Sequence, residues 1–112
     1  MMKIWLDDVR QAPDGYIHFK TAEELIVFLR KNFQNTIFLS LDLDHDLGEK
    51  CLSGLDVLNW IDERSFLDTA YVPPKIDVHT DNAAVYIKMK NISNKLNELR
   101  ENRIFYLGLY GS

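Results

Sequence analysis

The sequence has a single cysteine, no long apolar run and no excess of basic residues, and each absence excludes something. With Cys51 alone, no intramolecular disulfide can form, which points to a reducing compartment, the cytoplasm. No stretch approaches the ~20 consecutive apolar residues of a membrane helix, so no membrane partner is expected. Met1 to Asp8 meets two acids before any long apolar run, and no secretory leader is expected there. The formal net charge is -4. A mildly acidic protein makes a poor general nucleic-acid binder, because that affinity rests on basic patches. A small phosphate-bearing ligand held through a metal ion is not excluded. Repeats, low-complexity tracts and linkers are also missing. The expectation is one domain over 1–112, large enough to bury roughly two-thirds of the surface its unfolded chain exposes.

Within that domain, apolar runs alternate with helical patterns, the signature of a parallel sheet with helices on its faces. Lys3 to Leu6 is a short apolar run ending in Asp7-Asp8. Val9 to Gly15 is too short and too broken, by Pro13 and Asp14-Gly15, to form a packed helix. It is expected to run over the rim of the sheet as a loop. Tyr16 to Phe19 reads as a second strand. Thr21 and Glu24 form a T-x-x-E capping box for a helix whose inner face carries Ala22, Leu25, Ile26, Leu29 and Phe33. Thr36 to Leu43 reads as a central strand, apolar enough at its start to be covered on both faces. Ser53 can cap a helix with Leu55, Leu58 and Ile61 inside. Lys75 to Thr80 follows Pro73-Pro74 as another strand. Asn82 can cap a long helix with Val85, Met89, Ile92, Leu96 and Leu99 in one stripe. Ile104 to Leu109 reads as a last edge strand. The coarse order along the chain is β, loop, β, α, β, α, β, α, β, with five strands.

In open α/β sheets ligands bind beyond the carboxyl ends of the strands. Three segments reach that rim with unusual chemistry: Asp7-Asp8, Asp44-His45-Asp46 and His79-Thr80-Asp81-Asn82. Carboxylates gathered within a few ångströms repel one another unless some take up protons or a cation sits among them. Hard oxygen ligands suit Mg²⁺ or Ca²⁺, and few ligands with open positions favour Mg²⁺. Zinc fits less well, because the cluster is rich in oxygen and Cys51 sits in a turn. Taken singly, Asp46 and Asp81 also fit as cap or turn residues. Asp42 precedes Asp44 by two and shares its face of the strand with Ser40. Two polar residues there imply that this face is partly open near the rim.

His18, in a short strand beside Phe19, reads as structural. His45 and His79 lie at the acidic rim, where an imidazole can do acid–base work, bind phosphate when protonated, or orient a loop through one hydrogen bond. Arg10, two residues after the acid pair, is placed to reach a bound phosphate. Lys88, Lys90, Lys95, Arg100 and Arg103 read as a solvated face of the last helix.

Asp7-Asp8 after a first strand, Asp44 after the third, Thr80 after the fourth and the Ser53-Gly54-Leu55-Asp56-Val57-Leu58 segment resemble the receiver domain of bacterial response regulators. Receivers, however, have a helix after the first strand, a Lys ending the fifth strand and a final helix. Here Tyr106-Leu107-Gly108-Leu109 contains no such Lys. A derived branch is closer. Leu6-Asp7-Asp8-Val9-Arg10, Pro13-Asp14-Gly15, Leu43-Asp44-His45-Asp46-Leu47-Gly48 and His79-Thr80-x-Asn82 resemble the cyclic-phosphate processing receiver domains, small proteins often found in phages and bacteria. That family often has Trp where this chain has Tyr16, and Asn-Pro where it has Asn82-Ala83.

The resemblance implies a receiver-like, flavodoxin-like three-layer sandwich with a mostly parallel five-stranded sheet, in the order 2-1-3-4-5, and a short or missing first crossover helix. It implies Mg²⁺, or Mn²⁺, held by Asp7, Asp8 and Asp44, with Arg10, Thr80 and Asn82 on phosphate oxygens and His45, His79 and Asp46 as catalytic groups. The implied activity is that of a phosphoesterase, a hydrolase acting on a cyclic phosphate in a nucleotide or at an RNA end, as in RNA repair. Two other readings stay open: a phospho-accepting or phosphate-sensing signalling module without turnover, and a phage-type protein that only binds a ligand or partner.

Overall fold

The computed structural model describes residues 1–48 and 51–108. Four strands and three α-helices follow in the order β1 (Met2–Leu6), β2 (Tyr16–Phe19), α1 (Ala22–Lys31), β3 (Leu39–Leu43), α2 (Gly54–Leu67), β4 (Lys75–Val78) and α3 (Ala83–Tyr106). A 3-10 helix, Phe33–Phe38, precedes β3. All strand pairs are parallel, in the order 2-1-3-4. The 9–15 segment is a loop, as its turn residues require.

The helix caps act as their residue types suggest. Thr21 accepts a hydrogen bond from the Glu24 backbone at the start of α1, and Asn82 accepts one from Val85 at the start of α3. Ser53 and Asp56 form a complete reciprocal capping box at α2. Each crossover from β2 to β3 to β4 moves the same way along the sheet, so right-handed crossovers put α1 and α2 on one face, and α3 joins the same core through Met89 and Leu96. Ile4, Leu6, Leu41, Leu43 and Ile76 from the strands meet Leu25, Leu29, Leu58, Ile61, Met89 and Leu96 from the helices there, all essentially without exposure. Each such side chain contributes roughly 1.5–3 kcal/mol by leaving water.

The opposite face carries Lys3, Trp5, Ser40, Asp42, Lys75 and Asp77, none of them buried. This corrects two expectations. β3 alternates buried Leu39, Leu41 and Leu43 with half-buried Ser40 and Asp42, so it is covered on one face only. The described residues form two layers instead of a three-layer sandwich, because the loop after β1 supplies no helix for the second face. The start of the expected third strand is also different. Thr36 to Phe38 lie in the 3-10 helix, where the Thr36 hydroxyl donates to the Val72 carbonyl over 2.6 Å.

The expected fifth strand is absent among the described residues. Ile104 to Tyr106 extend α3, and Leu109 lies outside the described residues. The edge of β4 is closed in another way. The Asn97 side chain of α3 accepts from the Ile76 N–H at 2.9 Å and donates to the Ile76 carbonyl at 2.8 Å, occupying groups that a further strand would use. Two basic residues also move inward. Arg100 is buried and donates to the carbonyls of Pro73 and Ile37, while Arg103 donates to those of Ser65, Asp68 and Tyr71. They tie α3 to the segment before β4 instead of forming a solvated face. Among the described residues, no helix is long and apolar enough to cross a membrane.

Candidate metal centre

Leu6, Leu43 and Val78 stand level across the sheet, because Leu6 pairs with Leu43 and Leu43 with Val78. The next residue of each strand is therefore level too: Asp7, Asp44 and His79. Their backbone N–H groups continue the ladder, bonding to the carbonyls of Phe19, Leu6 and Leu43 respectively. Side-chain alternation puts all three on the open face of the sheet, just above Trp5 and Asp42. One ligating atom from each of Asp7, Asp44 and His79 lies within 4.8 Å of the others.

Each of the three is anchored from behind. Asp7 is 1% exposed, and its Oδ1 accepts the backbone N–H groups of Val9 and Arg10, both at 2.8 Å. Asp44 is also buried, and its Oδ1 accepts the N–H of His45 at 2.8 Å. His79 is stacked on Trp5 at 3.8 Å between ring centres, the planes 11° apart. Its Nδ1 lies 2.6 Å from Asp42 Oδ1 and its Nε2 2.9 Å from Asp7 Oδ2. Trp5 is held in turn by a hydrogen bond from its indole to the Arg10 carbonyl, so the 9–15 loop folds back toward the open face.

The electrostatics follow from this packing. Burial alone would raise the Asp7 carboxyl, but the two backbone N–H groups and His79 outweigh it and hold Asp7 below its ordinary 3.8. Asp44 goes the other way. Burial raises it, the neighbouring Asp7 adds to the rise, and the His45 N–H, His79 and the Thr80 side chain only partly offset it. Burial disfavours a charged His79, yet Asp42, Asp7 and Asp44 together keep its proton on above 6.5. The imidazolium thus acts as an internal cation between carboxylates.

The other expected site residues are spread around this point. Asp8 is exposed. It lines a cleft of about 220 Å³ together with Asp7, Val9, Arg10, Asp44, Asp46, Thr80 and Asp81. Arg10 pairs with Asp81 and stands 3.9 Å from Asp7. Thr80 hydrogen-bonds through its side chain to Asp44, and Asn82 caps α3. His45 Nε2 is 3.7 Å from Asp46 Oδ1, and His45 Nδ1 is buried with no partner among the described residues. His18 is structural, with Nε2 2.7 Å from the Asp7 carbonyl. Asp42 and Trp5 are supports whose roles sequence reasoning missed. Asp42 was legible as a polar residue two before Asp44, but only the register Trp5↔Asp42 places both beneath His79. A larger cavity of about 360 Å³ opens at the other end of the strands, lined by Phe33, Ile37, Ala70 and Tyr71 among others, and among the described residues it gathers no set of ligating side chains.

Two carboxylates and an imidazole, two of them buried and one half-buried, with their far atoms already fixed, make a donor set suited to a divalent cation. Residues 2–95 match the family model of the cyclic-phosphate processing receiver domain. No curated protein and no solved structure matches the chain at a significant level.

Proposed function

Because the chain belongs to the cyclic-phosphate processing receiver domain family, we propose that it is a divalent-cation-dependent phosphoesterase that opens a cyclic phosphate of a nucleotide or RNA end. The observation that carries the reading is the level convergence of Asp7, Asp44 and His79 in a cleft that also presents Arg10 and Thr80. Asp7 and Asp44 hold the cation, Mg²⁺ or Mn²⁺, with Asp8 at the open side of the same cleft. When bound, the cation supplies a Lewis acid for a phosphoryl oxygen.

The chain's own groups do the remainder. Arg10 leaves Asp81, and the Thr80 hydroxyl leaves Asp44, to reach phosphate oxygens, and Asn82 offers the N–H of its side-chain amide. In the reaction, a water oxygen bonds to phosphorus, the bond from phosphorus to one ribose oxygen breaks, and the water proton ends on that departing oxygen. A phosphate monoester results. Asp46 lines the cleft with His45 beside it, and the pair can relay that proton. The free thiol of Cys51 is exposed, in keeping with action in the reducing cytoplasm.

The test is hydrolysis of 2′,3′-cyclic nucleotides and cyclic-phosphate RNA ends with Mg²⁺ or Mn²⁺, run beside labelling with acetyl phosphate. Slow turnover is expected, severely reduced in Asp44→Ala and clearly reduced in His79→Ala. A stable acid-labile phosphoprotein with no turnover would replace this reading with a signalling module.

A further inference from the structure

We infer that the rim takes a first-row transition dication of the Mn²⁺ class in preference to Mg²⁺, with His79 Nε2 as a direct ligand beside Asp7 and Asp44 and with Asp42 as the group that orients it. This rests on the reading that the rim holds a divalent cation. An all-carboxylate site built from Asp7, Asp8 and Asp44 would suit Mg²⁺. The three side chains that converge are different: Asp7, Asp44 and His79. Asp8 is exposed at the cleft.

His79 has little freedom. Its ring is stacked on Trp5, and its Nδ1 is committed to Asp42 Oδ1 at 2.6 Å. That leaves Nε2, which faces Asp7 Oδ2 at 2.9 Å. A carboxylate on one ring nitrogen and a metal on the other is the usual arrangement of a ligating histidine, and the carboxylate fixes both tautomer and ring direction. A cation here takes the place of the proton that bridges Nε2 and Asp7, and that proton leaves to solvent. Imidazole is a poor partner for Mg²⁺ and a good one for transition dications, while two carboxylates and no thiolate favour the harder end of that series. One nitrogen and two oxygens therefore point to Mn²⁺ as the probe.

The experiment is titration of the chelator-stripped full chain with Mn²⁺ and with Mg²⁺, together with pulsed electron paramagnetic resonance of the Mn²⁺ complex. The wild type is expected to bind Mn²⁺ at least about tenfold more tightly than Mg²⁺ and to show nitrogen modulation from a directly bound imidazole. His79→Gln should lose the modulation and most of the preference. Asp42→Asn should weaken Mn²⁺ binding about 10–100-fold. Asp8→Asn should keep both modulation and preference. Mn²⁺ bound without nitrogen modulation, or an unchanged Mn²⁺/Mg²⁺ ratio in His79→Gln, would overturn the inference. The wild-type spectrum decides the point even if a variant fails to fold. Failure of the wild type to bind either cation would overturn this inference and the cation reading together. Nitrogen-coordinated Mn²⁺ without turnover of any cyclic phosphate would sink the proposed function alone.

Discussion

Asp7, Asp44 and His79 differ in what they do for the stability of the cation-free protein, and the differences have a sign. His79 keeps its proton above its ordinary 6.5 when folded. Its contribution is therefore complete below about 6.5 and is lost as pH rises through the folded value. Asp7 ionises below 3.8 when folded. Its contribution is complete above about 3.8 and is lost as pH falls through that lower value. In chelator, the melting temperature should decline as pH falls through the Asp7 value and as it rises through the His79 value, with a smaller decline between them as Asp44 ionises. His79→Gln should remove the alkaline decline, and an unchanged alkaline limb in that variant would contradict the pairing. Asp44 is held above 3.8, so its ionised form works against the fold. Asp44→Asn keeps the oxygen that accepts the His45 N–H but drops the charge. It should melt higher than wild type in chelator near neutral pH, yet gain nothing from added Mn²⁺ or Mg²⁺. A cation-induced rise equal to that of wild type would remove Asp44 from the site. The acids of this rim were legible in the sequence, because Asp7 and Asp44 each follow a strand directly. The commitment of His79 to Asp42 and Trp5 was not, since it depends on which rungs of neighbouring strands stand level.

At the scale of elements, two contacts decide how the rim is held. α2 begins so close to the Asp44 backbone that a Cβ on Gly54 would lie 1.8 Å from the Asp44 carbonyl oxygen. Neither backbone can yield without moving Asp44. Gly54→Ala should cost about 1–3 kcal/mol of stability, as overpacking does, and should also weaken cation binding. Denaturant unfolding and a cation titration check the two halves, and a variant as stable as wild type would contradict the close approach. The second contact is the Asn97 amide on β4. Asn97→Ala leaves the N–H and C=O of buried Ile76 unpaired at the sheet edge, at about 1–3 kcal/mol per group. An unshifted urea midpoint would mean that the amide is dispensable. The element order up to α3 could be read from caps and apolar stripes, because Thr21, Ser53 and Asn82 each mark a helix start. The end of the chain misled because Ile104 to Leu109 is apolar enough for a strand. What keeps Ile104 to Tyr106 helical is tertiary: Arg100 and Arg103 bind carbonyls of the segments packed against α3.

At the scale of the whole molecule, the loop that stands in place of a first helix leaves the second face of the sheet without a helix among the described residues, and the rim opens onto that face. A short loop can lean on Trp5 and hand two backbone N–H groups to Asp7, where a packed helix would cover the approach. Ser40 and Asp42 announced the bare face in the sequence; the collapse from three layers to two did not follow from them alone. If this open rim holds a divalent cation and turns over a cyclic phosphate, as proposed above, the product is visible directly. Phosphorus NMR of a 2′,3′-cyclic nucleotide incubated with the full chain and Mn²⁺, with the paramagnetic Mn²⁺ removed on a chelating resin before the spectrum, tests the proposal. The cyclic-phosphate resonance should give way to that of a phosphate monoester, and chelator present during the incubation, or Asp44→Ala, should stop the change. A cyclic resonance that persists while the wild type binds Mn²⁺ would contradict it.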